Sequence, residues 1–455
     1  MTKHPFSTLL FVCSLLLATS SAHAQTPPPD SSIAGLYAIL ARIDSHPMLF
    51  SGESQIEAAR RRIAQKSSLA NPMLMLGAQN LPTNSFRFSE EPMTSKMIGI
   101  SQSFPYPGKL KFDGKIAAQD TLTAQDDLQE ARNMLARDVK LAYFDLYHLD
   151  QEIAVNKLHQ KALDDLIPLA ESKLATGSTT QSQVLDLKLE RATLATEIIE
   201  ERTMLRERAA DLEQASGSPA AVTMTSSLGL PPFTYSVMAL DSIARANRPT
   251  LKKLEAQIEQ DRLIYRRNDL DKYPDFQVSL AYMQRDALSA TSPMNPMNFP
   301  GAAMAGVTPS SMSQTDMVSA TVSVELPFNF GGKRTEALAE SDAMRAMKVA
   351  DARAEELNIH TAIETNLAKL QGIQEEYTLL RNEIYPAVQL DLQTDISNYT
   401  YGKANIDDII RTQLGLFHRE HDRYRLEAEY NKAIAMIEFL TGTTLTKYTS
   451  RNDWK

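Results

Sequence analysis

Apolar positions along this chain follow two different periods in separate stretches. From Val318 to Leu326, apolar and polar residues alternate without a break, the period of a strand with one buried face. From Asp275 to Met283, Phe276, Val278, Leu280 and Tyr282 share one face, while Gln277, Ser279 and Ala281 share the other. Weaker alternation runs over Met73 to Gln79 and Lys96 to Ser103. These patterns predict four strands, at about 71–80, 95–104, 274–283 and 317–326. The period then changes to that of helices. Leu128, Leu135, Ala142 and Leu149 recur every seven residues, interleaved with Val139, Leu146 and Ile153, and Ile363, Leu370, Tyr377 and Ile384 repeat the pattern later. Between Gly114 and Gly177 there is no glycine and Pro168 is the only proline. A helix of some 65 residues, at about 1.5 Å per residue, is roughly 100 Å long.

The elements come twice. Ser45-His46-Pro47 is answered by Asn247-Arg248-Pro249, and Asn71-Pro72 by Tyr273-Pro274. Gln102 to Lys109 is answered by Glu325 to Lys333, and Ala175-Thr176-Gly177 by Thr400-Tyr401-Gly402. Lys109 stands 68 residues before Gly177, and Lys333 stands 69 before Gly402. The predicted organisation is a first repeat at 25–217, a linker at 218–246, a second repeat at 247–443 and a tail at 444–455. Each repeat reads helix, strand, loop, strand, long helix, turn, helix. Pro105, Pro107 and Pro327 cannot donate to a strand ladder and suit the first turn of a helix, so with Gly108, Gly331 and Gly332 they mark the strand-to-helix junctions. Gly177 and Gly402 mark the helix-tip turns.

Such strands fit either a half-buried soluble sheet or a tilted transmembrane β-segment. The long helices favour the second reading. Four strands at the end of 100 Å rods leave exposed edges that closure by further copies removes. Three protomers giving four strands each would close a 12-stranded barrel. The fold class expected is α+β: a trimeric barrel continuous with a long coiled-coil tunnel. A lone coiled-coil hairpin would explain one long helix pair, but not two matched pairs each fed by strands.

Composition narrows the compartment. Lys3, the apolar run Leu9 to Ala18 and the Ala22-His23-Ala24 site read as a cleavable signal peptide over 1–24. The only cysteine, Cys13, lies within it, so an exported chain would hold no disulfide. The residue before Cys13 is Val12, which argues against a lipoprotein anchor. A net charge of −9 without basic runs argues against nucleic acid as a partner. No stretch after the leader has the length of apolar sequence that a spanning helix needs. No catalytic motif is present, so no enzyme activity, cofactor or resident metal is expected. His418 and His421 stand three apart on a charged helix and read as a surface pair rather than as ligands. Six methionines between Met283 and Met317 (Met283, Met294, Met297, Met304, Met312 and Met317) offer thioethers suited to soft Cu(I) or Ag(I), or else a flexible plug, in a predicted extracellular loop.

On the segments Ile100 to Leu110, Val324 to Arg334 and Tyr399-x-Tyr401-Gly402-Lys403, the chain resembles the TolC family of outer-membrane efflux channels, particularly its metal- and drug-efflux branch. The resemblance in layout spans about Ile33 to Thr443. It implies a homotrimer in outer-membrane lipid, a tunnel in the periplasm, and work with a periplasmic adaptor and an inner-membrane pump of the resistance-nodulation-division type. It also implies that carboxylates near the second tip line a periplasmic aperture. Asp407 and Asp408 follow Gly402 there, Asp408 being the better match, and Asp186 is the counterpart in the first repeat. Arg411 stands where another acidic residue is common, which suggests a salt bridge to Asp408 or Asp407. A helix N-terminal acid meeting the dipole is the plainer role for Asp407. Phe104, Tyr106, Phe328 and Phe330 read as one aromatic collar at the membrane interface or the barrel-tunnel seam. The alternatives are a type I protein-secretion channel of the same architecture and a soluble periplasmic coiled-coil scaffold.

Overall fold

In the computed structural model, the residues described are 31–217, 219, 228–296, 310–401, 403 and 406–446. The expected signal peptide, Gly402, Met297, Met304 and most of the tail fall outside them.

The two repeats are visible element by element. Helix α1 (Ser31–Leu40) corresponds to α5 (Val237–Asn247), and α2 (Pro47–Ser67) to α6 (Pro249–Asp269). Strand β1 (Met73–Gln79) corresponds to β3 (Asp275–Gln284), and β2 (Ser95–Phe104) to β4 (Met317–Glu325). Helix α3 runs unbroken through 67 residues, Lys109–Ala175. Its counterpart is divided: α7 (Lys333–Leu379), a π turn at Leu380–Ile384, then α8 (Tyr385–Thr400) with Pro386 in its first turn. The return helices, α4 (Gln181–Ser216) and α9 (Ile406–Thr441), are 36 residues each. Part of the segment expected as linker is thus helix α5.

The strands form one antiparallel sheet in the order β1-β2-β3-β4, so the repeats join at β2 and β3. Leu74, Ile100, Leu280 and Ala320 fall in one cross-strand row, and Leu76, Ile98, Tyr282 and Val318 in the next. That face is apolar over its middle rows, and its apolar members are exposed (Leu76 72%, Leu280 52%, Val322 65%), with Lys96, Gln102 and Gln284 its polar positions towards the two ends. The opposite face carries Ser, Thr, Gln, Gly, Ala and Met.

The helices stack end to end as their lengths require. His46, opening α2, accepts the Met48 N–H and bonds the Gln214 carbonyl at the end of α4 (3.1 Å). Arg248, opening α6, donates to the Phe439 carbonyl at the end of α9 (2.5 Å) and lies over the Phe439 ring. The heptad positions Leu135, Val139, Ala142, Leu146, Leu149 and Ile153 are all buried, as are Ile363, Leu370 and Tyr377. All of these but Leu149 and Ile153 meet in the main core with α1, α5 and the ends of α4 and α9. A second, smaller core of Leu163, Ala170, Val184, Leu187, Leu194 and Ile198 zips the α3–α4 hairpin towards its tip.

Buried charges pin this core. Glu427, fully buried, accepts from the hydroxyls of Tyr147 (2.6 Å) and Tyr377 (3.1 Å) and pairs with Arg423 (3.1 Å). Glu438 pairs with Lys140 at 2.7 Å and accepts the Leu445 and Thr446 N–H groups. Among the described residues no helix is long and apolar enough to cross a membrane.

Candidate functional site

At the far end of α3, Gly177 takes a left-handed conformation (φ 72°) that lets the chain reverse. The Ser178 N–H then reaches the Lys173 carbonyl (2.9 Å) and the Gly177 N–H the Leu174 carbonyl (3.0 Å). Thr180 opens α4 with a reciprocal capping box on Gln183. One repeat later the Lys403 N–H reaches the Asn398 carbonyl (2.8 Å), the same five-residue span as Ser178 to Lys173.

The two tips touch. The Gln183 side-chain amide donates to Asp407 in the first turn of α9, and the Lys173 ammonium sits 3.3 Å from the centre of the Tyr399 ring. Asp408 pairs with Arg411 at 2.7 Å, with the Arg411 side chain 76% exposed. Among the described residues, the Asp186 side chain accepts from Ser182 on its own helix, at 3.5 Å. The structure therefore brings Asp407 to the first tip and Asp408 to Arg411, while Asp186 stays on its own helix. The Gln183 contact had no sequence signal beyond the Thr-x-x-Gln spacing of a helix start.

At the other end lies the strand-to-helix junction. Pro105 and Pro107 do not enter the helix. They precede it, and Gly108 (φ 106°) turns the chain into Lys109. The fixed proline φ with no N–H ends the β2 ladder, and the glycine absorbs the bend that a proline in the first turn was expected to make. In the second copy Pro327 ends the ladder, and Gly331 (φ 67°) and Gly332 (φ 76°) absorb the bend. The Asn329 side chain caps the turn by accepting the Arg334 N–H at 3.0 Å. Lys109 is 4% exposed and bridges Asp271 and Asp275 at 2.9 Å each, and Asp275 also accepts the Tyr106 N–H (2.6 Å). This clasp ties the start of α3 to the start of β3.

The aromatic side chains there do not form one collar. Phe104 stacks on Phe276 (5.3 Å) and Tyr106 on Tyr273 (4.3 Å), whereas Phe328 and Phe330 contact each other and are mostly exposed. Register decides this, because Phe104 and Phe276 are direct cross-strand partners.

Between core and tip, α3, α4 and α9 enclose a titratable cluster. His421 bonds Asn156 (2.9 Å), which donates to Glu201 (2.6 Å), and Glu152 lies 3.5 Å from His148. Burial pushes both His148 and His159 down to about 4. Burial, then the neighbouring Glu152 and Glu197, push Glu201 up to about 7. His421 is thus part of an interhelical cluster rather than half of a surface pair, because α9 turns it towards α3. Among the described residues no group of three His, Cys, Asp or Glu side chains is placed to hold a metal ion.

The methionine segment divides as well. Met283 is the last but one residue of β3 and Met317 opens β4, so both are strand residues, while Met294 and Met312 lie in the connection between them. That connection packs on the β1–β2 loop through Ser289 to Ser89 (2.8 Å) and Arg285 to Pro92 (3.3 Å), and on the start of β2 through Asp286 to Lys96 (3.0 Å).

An apolar-faced strand quartet continuous with doubled helical rods of this length defines an outer-membrane channel subunit. The chain matches the family described as outer membrane efflux protein over residues 41–218 and 240–443, and it belongs to that family. Its fold is similar to that of the solved CusC channel, with 13% identity, a TM-score of 0.71, and 90% of this chain and 92% of that one covered. It is similar to VceC from Vibrio cholerae, with 15% identity, a TM-score of 0.71 and 90% and 96% covered. MtrE from Neisseria gonorrhoeae, solved in its open state, shares 12% identity, with a TM-score of 0.70 and 92% and 91% covered. No curated protein gives a significant match to the chain in sequence.

Proposed function

We propose that three copies of this chain form a passive duct through the outer membrane, part of a tripartite system. A periplasmic adaptor and an inner-membrane pump of the resistance-nodulation-division type would deliver small toxic solutes, metal ions or drugs, to its periplasmic end. One observation carries the reading: a four-stranded sheet with two unpaired edges and one exposed apolar face sits at the end of the long helical rods. Exposed edges invite pairing and an apolar face needs lipid, so closure by further copies within a bilayer satisfies both. The energy would come from the pump, and the chain itself would need only a water-filled path. Nothing in the geometry favours protein cargo over small solutes, and the type I secretion alternative differs only in its partners.

The periplasmic entrance lies at the paired tips in this reading. Three-fold repetition would set Asp408 with Arg411 and Asp407 with Gln183 around the axis, constricting the pore and biasing it towards cations. Membrane fractionation, heat-modifiable trimers on gels and single-channel conductance in planar bilayers test the duct. A soluble monomer without conductance would overturn it. Deletion of the gene and growth on copper, silver, cobalt, zinc and drug plates tests the efflux role, which unchanged tolerance to every compound would refute.

A further inference from the structure

The sheet faces are chemically sorted in a way that a simple apolar lining does not require. The four strands hold five methionines: Met73, Met75, Met97, Met283 and Met317. All five stand at odd-numbered positions, on the face opposite Leu76, Ile98, Leu280 and Val322. That face otherwise carries Ser, Thr, Gln, Gly and Ala, with Asp275 and Glu325 at its junction end, and has no Leu, Ile, Val or Phe. The apolar face, in turn, has Leu, Ile, Val, Ala, Phe and Tyr, with Lys96, Gln102 and Gln284 towards its ends, but no methionine. Were bulk hydrophobicity all that the inner face tolerated, the branched side chains abundant one position away would appear on it too.

Register then gathers three of the five. Met97 is the direct partner of Met283, and Met283 the direct partner of Met317, so one row crosses β2, β3 and β4. Direct partners hold their Cβ atoms about 4.5–5.5 Å apart, within the span of unbranched thioether side chains with three rotatable bonds. The fourth place in the row, on β1, is Gly77. A Cβ there would lie 3.5 Å from the Met97 Cε, so the tip of Met97 extends into the space the glycine leaves. Met75, one level nearer the helices, is diagonal to Met97 and within reach of it. Met97 and Met283 are half-buried, as ligands held against a wall would be.

We propose that Met97, Met283 and Met317, with Met75 beneath them, form a luminal thioether site for a soft monovalent cation, Cu(I) or Ag(I), at the end of the barrel farthest from the helices. The site rests on the duct reading, which makes the odd face the lumen and this end the exterior. Neutral thioether sulfur prefers soft ions and is a poor ligand for Mg²⁺, Ca²⁺ or Zn²⁺. Closure by three copies would repeat the row around the exit. Neutral ligands leave the ion its charge, so binding is reversible, as a stepping place in a conduit must be.

Silver is the probe, because it does not change oxidation state and the sole cysteine lies in the expected signal peptide. Purified trimer in detergent and chloride-free buffer is dialysed to equilibrium against silver nitrate, with bound metal counted by mass spectrometry. The comparison is wild type against Met97→Leu/Met283→Leu/Met317→Leu, a near volume-conserving exchange. A loop control, Met294→Leu/Met312→Leu, is run beside them. The expected result is one silver ion per protomer lost in the strand variant and none in the control, with the methyl resonances of the three strand methionines shifting on titration in wild type. Equal silver binding by wild type and strand variant, or loss in the loop control instead, would overturn the site. If the triple variant fails to assemble, Met283→Leu alone removes the middle ligand and must lose the same ion. Conductance without silver is measured in parallel. A conducting channel that binds silver equally in all variants sinks the site alone, whereas a protein without conductance sinks the duct.

Discussion

Replacing Glu201 by Gln should stabilise the helical hairpin at alkaline pH and leave it unchanged in acid. Glu201 is half-buried between α3, α4 and α9, where it accepts from Asn156 at 2.6 Å, and one of its carboxyl oxygens has no partner. Burial and the nearby Glu152 and Glu197 raise it from 4.5 to about 7. The folded state therefore holds a proton that the unfolded chain releases above its ordinary value. Stability from this group is complete below about 4.5 and is lost as pH climbs towards 7. At about 1.36 kcal/mol per unit the full displacement is worth roughly 3 kcal/mol. Water reaches a half-exposed carboxyl and screens it, so about 1–2 kcal/mol is the usable figure. Gln keeps the acceptor for Asn156 and cannot ionise. Thermal melts of the purified channel followed by circular dichroism, from pH 4.5 to 8, should show E201Q above wild type at pH 8 and level with it at the acid end. Parallel profiles, or a less stable variant at pH 8, would refute the argument. His148 works in the opposite sense. Its folded value of about 4 lies below the ordinary 6.5, so its share of stability is present above 6.5 and is lost as pH falls towards 4.

Lys140→Met should lower the free energy of chemical unfolding by about 3–5 kcal/mol, because it leaves the buried Glu438 side chain without its partner cation. Lys140→Met/Glu438→Gln should recover much of that loss, and a double variant as unstable as the single one would count against the pairing. Gly217→Ala should cost more than Gly177→Ala in the same assay. Both need a left-handed backbone, worth about 1–2 kcal/mol. At Gly217 the new Cβ would also lie 2.7 Å from His46, while at Gly177 nothing lies within 4 Å. Lys109→Met should lower the temperature at which trimers dissociate on gels, since it leaves Asp271 and Asp275 without their shared cation. Asp408→Ala and Arg411→Ala should raise single-channel conductance if the tips form the constriction, and unchanged conductance in both would remove them from it.

The strands and the doubled helices were legible because each is written in a local period. The alternation in 318–326 and the seven-residue recurrence from Leu128 each need only one segment to be read. Side chains whose partners lie a repeat away were not legible. Nothing beside Lys109 points to Asp271 and Asp275, some 160 residues on, and nothing beside Gln183 points to Asp407. His421 was misplaced for the same reason, since the charged residues around it describe one side of α9 and its own side faces α3. The methionines were legible as a composition. Their sorting onto one face and their meeting in one row depend on register, which sequence periodicity leaves open by an even shift.

The repeats are matched in length but not in burial, and the mismatch says where the neighbouring copies belong. Helix α3 packs against α2, α4, α6 and α9 and buries residues along most of its length. Helix α7 buries Ser341 near its start and otherwise only positions in its second half, from Ile359 to Tyr377, and it leaves Met344, Met347 and Leu357 uncovered. Strand β2 is flanked on both sides, while β4 is exposed at nearly every position and β1 likewise. One subunit therefore has two unlike raw edges, β1 on the first copy and β4 with α7 on the second. Two unlike edges cannot satisfy each other across a two-fold axis, where a patch must meet itself. They can do so head to tail, β4 of one chain against β1 of the next, and such contacts end only when the ring closes. The duplication thus gives each subunit a donor edge and an acceptor edge, and it is the difference between its halves, more than their likeness, that makes a closed channel the arrangement in which no strand is left unpaired.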